Sequence, residues 1–365
     1  MRIDHQAEIF EIIKRKIKGN DSLGNAVGEV LSISQDAVYR RFRGDTLLTI
    51  YEIEKLAKHF DFSIDSLFEM NKNKIVFDFQ AFSGYDFSMD SYLQNMLDSV
   101  VHLKKQKNPK LTLAINNTPF LQLLNFPHLV RFKLFFWAKT HLQLEELKNQ
   151  LFQHEKVSDQ TFAIGKEVLR VYNSIPSKEV YDPELLRGFT REIYYYFNAQ
   201  HFQEPEYALF LLDNLDKFVD HLKDQAAQGK KFLYTTQAPA SGNDFEMYHN
   251  ETLNATTTIH YKTDDYSGLF IAHNIMNTLH TTDEVYVTDS ESVLLKQIAN
   301  SSMISTVNEK DRNNYFAQVK SMINGYRKKI EADLEVHEEL IPPLFFPYLL
   351  FAFFASSKIL LTLFS

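Results

Sequence analysis

Residues 22–68 read SLGNAVGEVLSISQDAVYRRFRGDTLLTIYEIEKLAKHFDFSIDSLF. Leu23, Ala26, Val27 and Val30 fall on one face of a short helix that Ser22 can cap, with Ala26 and Gly28 small enough for a close helix crossing. Ser32-Ile33-Ser34 forms the turn, with Ile33 as its apolar anchor. From Ser34 a second helix directs Val38 and Phe42 inward and gathers Asp36, Tyr39, Arg40 and Arg43 on the opposite side, with Gln35 near the edge. Gly44 stands where a left-handed residue closes a helix. Two further short helices end the stretch. The spacing predicts a helix-turn-helix bundle.

Upstream, Ile9, Ile12, Ile13 and Ile17 keep helical spacing, with Lys14, Arg15, Lys16 and Lys18 on much of the remaining face. Met1–Phe10 is polar and amphipathic and does not read as a secretory signal. Residues 1–60 carry ten Lys and Arg against nine Asp and Glu, whereas the whole chain has 39 against 47. A nearly neutral head on an acidic body orients the head toward phosphate and argues against a protein that coats nucleic acid indiscriminately. The 365 residues exceed one small module and predict two or three domains. No cysteine is present, which excludes disulfides, thiolate zinc sites and thiol catalysis and fits a reducing cytosol.

The outward face of the second helix holds the side chains that read base edges: Arg for guanine, Gln for adenine, Tyr for phosphate or a thymine methyl. Ser34 would aim backbone N–H groups at a phosphate. The expected DNA-binding set is Ser34, Gln35, Asp36, Tyr39, Arg40, Arg41 and Arg43. The competing reading is a generic helical bundle whose arginines are merely solvated.

Leu23, Ala26, Ile33-Ser34, Val38, the Arg40-to-Gly44 ending, Lys55-Leu56-Ala57 and Ser66-Leu67-Phe68 together resemble the Cro/repressor-type (XRE-like) helix-turn-helix family over about 47 residues. Many relatives carry Ile-Glu before the closing Arg/Asn-Gly, whereas this chain reads Tyr39-Arg40-Arg41-Phe42-Arg43-Gly44. The extra Arg41 lies beside the core face, where it meets phosphate or an acidic neighbour. The body resembles that of long bacterial regulators with such a head. The residues carrying that likeness are Phe126-Pro127, Phe135-Phe136-Trp137-Ala138-Lys139-Thr140, Ala272-His273-Asn274, Thr281-Thr282-Asp283-Glu284 and Asn308-Glu309-Lys310-Asp311-Arg312-Asn313. The resemblance implies a transcriptional regulator and assigns no ligand or catalytic residue.

The fold expected is mainly α: the helix-turn-helix bundle, a mostly helical α+β domain with a small antiparallel sheet, and a hydrophobic C-terminal tail. The boundaries read as 1–71 for the head, 72–90 for a strand-like linker, 91–230 for a helical body, 231–335 for an α+β region and 336–365 for the tail. Helices are expected over 90–105, 126–154, from Pro183 to Phe197, over 206–225, 290–300 and 309–331, with a short strand at Leu111–Ile115. Lys231–Gln237, Glu246–Glu251, Ala255–Lys262 and Gly268–Ala272 read as a meander punctuated by Ser241-Gly242-Asn243-Asp244 and Asp264-Asp265.

Chemistry is hard to find. His249, His260, His273 and His280 have no compact ligand spacing and read as ordinary strand or turn residues. His337-Glu338-Glu339 lacks the second His of a zincin, and no nucleophile elbow, P-loop or dinucleotide fingerprint occurs. Asp264-Asp265 reads as a solvated turn. No catalytic residue, cofactor or metal is expected. Phe132, Phe135, Phe136 and Trp137 with Tyr194-Tyr195-Tyr196-Phe197 read either as core or as the lining of an apolar effector pocket.

Leu344–Ser365 is 22 residues long and carries one charge, Lys358. As a helix it would span about 33 Å, enough for a bilayer core. Its thirteen Leu, Ile and Phe favour insertion by roughly 4–8 kcal/mol, against about 3 kcal/mol for a central Lys. Three readings stand open: a membrane anchor, an apolar helix packed on the body or a dimer mate, and an extension from a reading-frame artefact. The expected partners are double-stranded DNA, a second copy in a homodimer, an unidentified small-molecule or protein effector, and a membrane through 344–365. The expected location is the cytoplasm, with the tail's anchor reading placing the protein on the inner face of the membrane. The alternative function is a sensory or scaffold protein whose head makes protein contacts.

Overall fold

The computed structural model describes residues 5–17, 21–64, 75–79, 88–153, 159–240, 243–253, 256–274 and 277–339. The described residues fall into two compact units, one within Met1–Phe79 and Leu279–Asp289 and the other within Gln80–Thr278 and Ser290–Ser365.

The first unit opens with α1 (His5–Lys16), α2 (Leu23–Leu31), α3 (Gln35–Phe42) and α4 (Ile50–Phe60), followed by the short strand β1 (Asp78–Phe79). Ile9, Phe10 and Ile13 from α1, Ala26, Val27 and Leu31 from α2, Val38 from α3, and Leu56 and Phe60 from α4 form one core. Phe42 closes it edge-on against Phe10, with ring centroids 5.6 Å apart. α2, α3 and α4 each start at a hydroxyl cap, which answers the unpaired N–H groups of a first turn. Ser22 Oγ accepts from Asn25 N at 3.2 Å and Ser34 Oγ from Ala37 N at 3.3 Å. Thr49 and Glu52 form a reciprocal capping box on α4. Ser66-Leu67-Phe68, the end of the stretch that carries the family resemblance, lies outside the described residues, as do 72–74 and 80–87 of the expected linker.

The second unit continues with α5 (Met89–Lys104), β2 (Lys110–Ile115), α6 (Phe120–Leu123) and α7 (Pro127–Phe136), which runs into a π-helical turn at Trp137–His141. Then come α8 (Asp159–Asn173), β3 (Ser177–Tyr181), α9 (Arg187–Asn198), α10 (Tyr207–Gln228) and β4 (Phe245–His249). The chain proceeds through β5 (Thr258–Lys262), β6 (Ser267–His273), β7 (Asn277–Thr281), α11 (Glu284–Ala299), β8 (Ser302–Met303) and α12 (Glu309–Glu339).

The expectation of a mainly α chain with a small antiparallel meander is corrected: the fold is α+β, built on an eight-stranded mixed sheet of order β1-β7-β6-β5-β2-β3-β4-β8. Its centre is parallel, with β3 between β2 and β4 and the register Leu113↔Glu179↔Met247. Parallel neighbours cannot be joined by a hairpin, and the helices between them supply the crossovers. Of the expected meander only β5–β6 is a true hairpin, closed where Thr263 N donates to Tyr266 O at 2.9 Å. Lys231–Gln237 is no strand: Thr235 takes a left-handed φ of +67° and Thr236 N turns back to Leu233 O.

The central strands are covered on both faces. Leu111, Leu113 and Ile115 of β2 face a large core shared with α7, α9, α10 and α12, while Ala114 and Val180 pack with Leu253 and Leu294 on the other side. Phe132 stacks between Phe189 at 5.8 Å and Phe202 at 5.6 Å, and meets Tyr196 edge-on. These aromatics are core. In the first unit β1 pairs with the end of β7 through Asp78↔His280 and Phe79↔Leu279.

The apolar run 344–365 lies outside the described residues. Among the described residues no helix is long and apolar enough to cross a membrane.

Candidate nucleic-acid interface

The α2–turn–α3 geometry rests on two local necessities. Ser32 adopts a left-handed φ of +56° and returns its N–H to Glu29 O, ending α2. Gly28 then lets Ile33 fold back: a Cβ there would sit 2.9 Å from the Ile33 carbonyl oxygen, closer than any side chain tolerates. Ile33 N donates to Gly28 O at 3.0 Å across this junction. At the far end Gly44, at φ +82°, lets Asp45 N reach Arg40 O at 2.9 Å.

On α3, Val38 is buried and Phe42 half-buried, as the spacing predicts, while Ser34, Gln35, Asp36, Tyr39, Arg40 and Arg43 are exposed. Gln35 donates its amide to Asn25 Oδ1, so the first turns of α2 and α3 share a polar surface. The Tyr39 ring lies over α2, against the place where a Gly24 Cβ would stand. Arg40 Nη2 lies 2.8 Å from Asp36 Oδ2, with side-chain exposures of 60% and 68%. Arg43 Nε lies 3.0 Å from Asp45 Oδ2.

Arg41 departs from this surface. Of its two expected partners the acidic neighbour is the one present: Nη2 sits 2.7 Å from Glu52 Oε1, with exposures of only 16% and 17%, and Nη1 donates to Ala37 O at 3.2 Å. Burial works to raise the Glu52 carboxyl, but the Thr49 N–H and the Arg41 guanidinium outweigh it and hold it below the usual range. Every guanidinium of α3 thus has a carboxylate partner, which mutes the positive face that the formal charges suggest.

Two contributors were missed by sequence reasoning. Gln6 of α1 donates to Arg41 O at 2.6 Å and Thr46 O at 2.9 Å and accepts from Leu48 N at 2.7 Å. One amide therefore fixes the whole loop after α3. Asn25 of α2 is the second, accepting from the Gln35 amide. Neither leaves a local signal, because each partner lies ten or more positions away.

The four histidines scatter. His249 lies against Tyr315, His260 is buried in β5, and His280 pairs with Asp78 at 3.2 Å. Among the described residues no three metal-ligating side chains assemble. No family model, curated protein or solved structure matches the chain.

Proposed function

We propose that the protein is a sequence-specific DNA-binding transcriptional regulator, with α3 entering the major groove and the second unit serving dimerisation or effector sensing. The observation that carries this is the exposed face of α3: Gln35, Asp36, Tyr39, Arg40 and Arg43 stand together on a helix fixed by Ser34, Gly28 and Gly44. A rigid element presenting several base-edge groups suits direct readout. One short helix reads few bases, so a homodimer on half-sites about 34 Å apart is part of the proposal.

Mobility shifts of the intact chain against genomic fragments over a salt series test it. A preferred fragment is expected, with the preference relaxed in Arg40→Ala and the salt slope flattened in Arg43→Ala. Retention of all fragments alike, or of none, would exclude sequence-specific regulation.

A second reading, a head that makes protein contacts, is favoured by Leu47, Ile50 and Tyr51, which stand 75%, 76% and 75% exposed. Exposed large apolar residues side by side mark interaction surfaces. Under that reading Tyr51→Ser would abolish association measured by light scattering while leaving DNA retention unchanged.

A further inference from the structure

We propose that Asp36 and Arg40 act as one reading unit, selecting a single G·C base pair in each half-site. The inference rests on the DNA-binding reading above and names what that surface recognises.

The two residues are one helical turn apart and already joined through Oδ2 and Nη2 at 2.8 Å. Neither side chain makes a further hydrogen bond or ion pair among the described residues. A guanidinium offers five N–H donors in a fork and a carboxylate about four acceptor positions, so the joined pair keeps two donors side by side next to a free acceptor. Its pattern is donor, donor, acceptor.

Only one natural pair presents the complement in the major groove. A G·C edge runs N7 acceptor, O6 acceptor, N4–H donor. Arg40 would take N7 and O6 of guanine, and Asp36 the N4–H of cytosine. An A·T edge runs acceptor, donor, acceptor, which sets a like group against the guanidinium fork at N6 and against the carboxylate at O4. The exposed ion pair holds the two side chains together at little cost, since such pairs contribute only about 0–1 kcal/mol. Asp36 has a second effect. A carboxylate beside Arg40 opposes a nearby phosphate, so the unit weakens adhesion to arbitrary duplex.

The test uses the intact chain and duplexes selected from a random pool. The wild-type protein should select one invariant G·C pair per half-site. Placing N4-methylcytosine at that position blocks the groove-facing N–H and leaves guanine intact. It should weaken the wild type about tenfold and leave Asp36→Ala unaffected. Substituting 7-deazaguanine should weaken the wild type and leave Arg40→Ala unaffected. Asp36→Ala should also bind unselected duplex more tightly, with a salt slope steeper by about one. A selected site without an invariant G·C pair, or N4-methylation penalising wild type and Asp36→Ala alike, would overturn the inference while leaving DNA binding standing. Failure to select any site would instead remove the functional reading beneath it.

Discussion

Arg41 Nη2 lies 2.7 Å from Glu52 Oε1, and this half-buried ion pair ties the last turn of α3 to the first turn of α4. Glu52 also accepts from Thr49 N at 2.8 Å, so one carboxylate serves a helix cap and a helix–helix tie at once. Arg41→Ala leaves that carboxylate short of a partner and should cost about 1–3 kcal/mol. The Glu52 carboxyl is depressed in the fold, so its stabilisation is present above the ordinary carboxylate pKa and is lost as pH falls through the folded value. Thermal melting of the first unit, followed by hydrogen exchange in the intact chain, reads both effects. Unchanged melting together with a salt slope reduced by about one would make Arg41 a phosphate contact instead.

Gly24 and Gly28 lie one turn apart on α2 but should answer differently to alanine. At Gly28 the added Cβ meets a backbone oxygen at 2.9 Å, which moves only if the turn moves. The gain in helix propensity, about 1 kcal/mol, opposes an overpacking cost of about 1–3 kcal/mol, and Gly28→Ala should lower the melting temperature. At Gly24 the obstacle at 3.0 Å is the Tyr39 ring, a side chain that can swing. Gly24→Ala should hold or raise stability while displacing Tyr39, and so change DNA affinity without unfolding. Equal destabilisation by both would show that the close helix approach at Gly28 is not the determinant.

The head was legible because its decisive signals are local. Ser22, Ser34 and Gly44 act on residues within four positions, and Val38 and Phe42 declare their face by spacing alone. The capping box Thr49–Glu52 is just as local but went unread, and Glu52's second partner, Arg41, lies on another helix and leaves no periodic trace. The centre of the sheet stayed hidden for a related reason. In β3 the middle residue, Glu179, is fully buried, which breaks the apolar pattern of a covered strand. It is tolerated because the hydroxyls of Tyr172, Ser177 and Tyr181 all donate to its carboxylate, three partners no spacing rule assembles. The β5–β6 hairpin was visible, since its turn residues sit between its own strands. Parallel pairing of β3 with β2 and β4 joins segments about 65 residues apart, beyond any local pattern.

Lys231 is fully buried, its Nζ 3.7 Å from the centre of the Tyr172 ring and without a hydrogen-bond acceptor among the described residues. Burial drives its pKa down to about 7 despite the nearby Glu179 charge. The unfolded chain therefore binds the extra proton between about pH 7 and the ordinary lysine value near 10.4. Stability should rise with pH across that window, and the full burial penalty should be present below it. Lys231→Met should be the more stable protein at pH 6, with the difference shrinking toward pH 10. Denaturant titrations of both proteins at several pH values measure this. A constant difference would mean that the amine finds a partner in solution.

Lys133 and Glu192 pose the opposite case, an ion pair closed on itself at 2.6 Å within the aromatic core. The Lys133 Nζ also lies 5.2 Å from the Trp137 ring centre and 5.1 Å from that of Phe189. Burial pushes the lysine down and the carboxyl up, each partly restored by the other's charge. Removing one partner strands a charge in apolar surroundings, so Lys133→Met or Glu192→Leu alone should cost about 3–5 kcal/mol. Replacing both by apolar side chains of similar volume removes the desolvation penalty with the attraction. The double variant should therefore recover most of the loss, and a double-mutant cycle should show strong positive coupling. Additive losses would mean that packing against Trp137 and Phe189, rather than the charge pair, sets the stability of this region. The π-helical turn at Trp137–His141 begins one turn after Lys133, so amide exchange there gives an independent readout. Protection at that turn should fall in each single variant and return in the double.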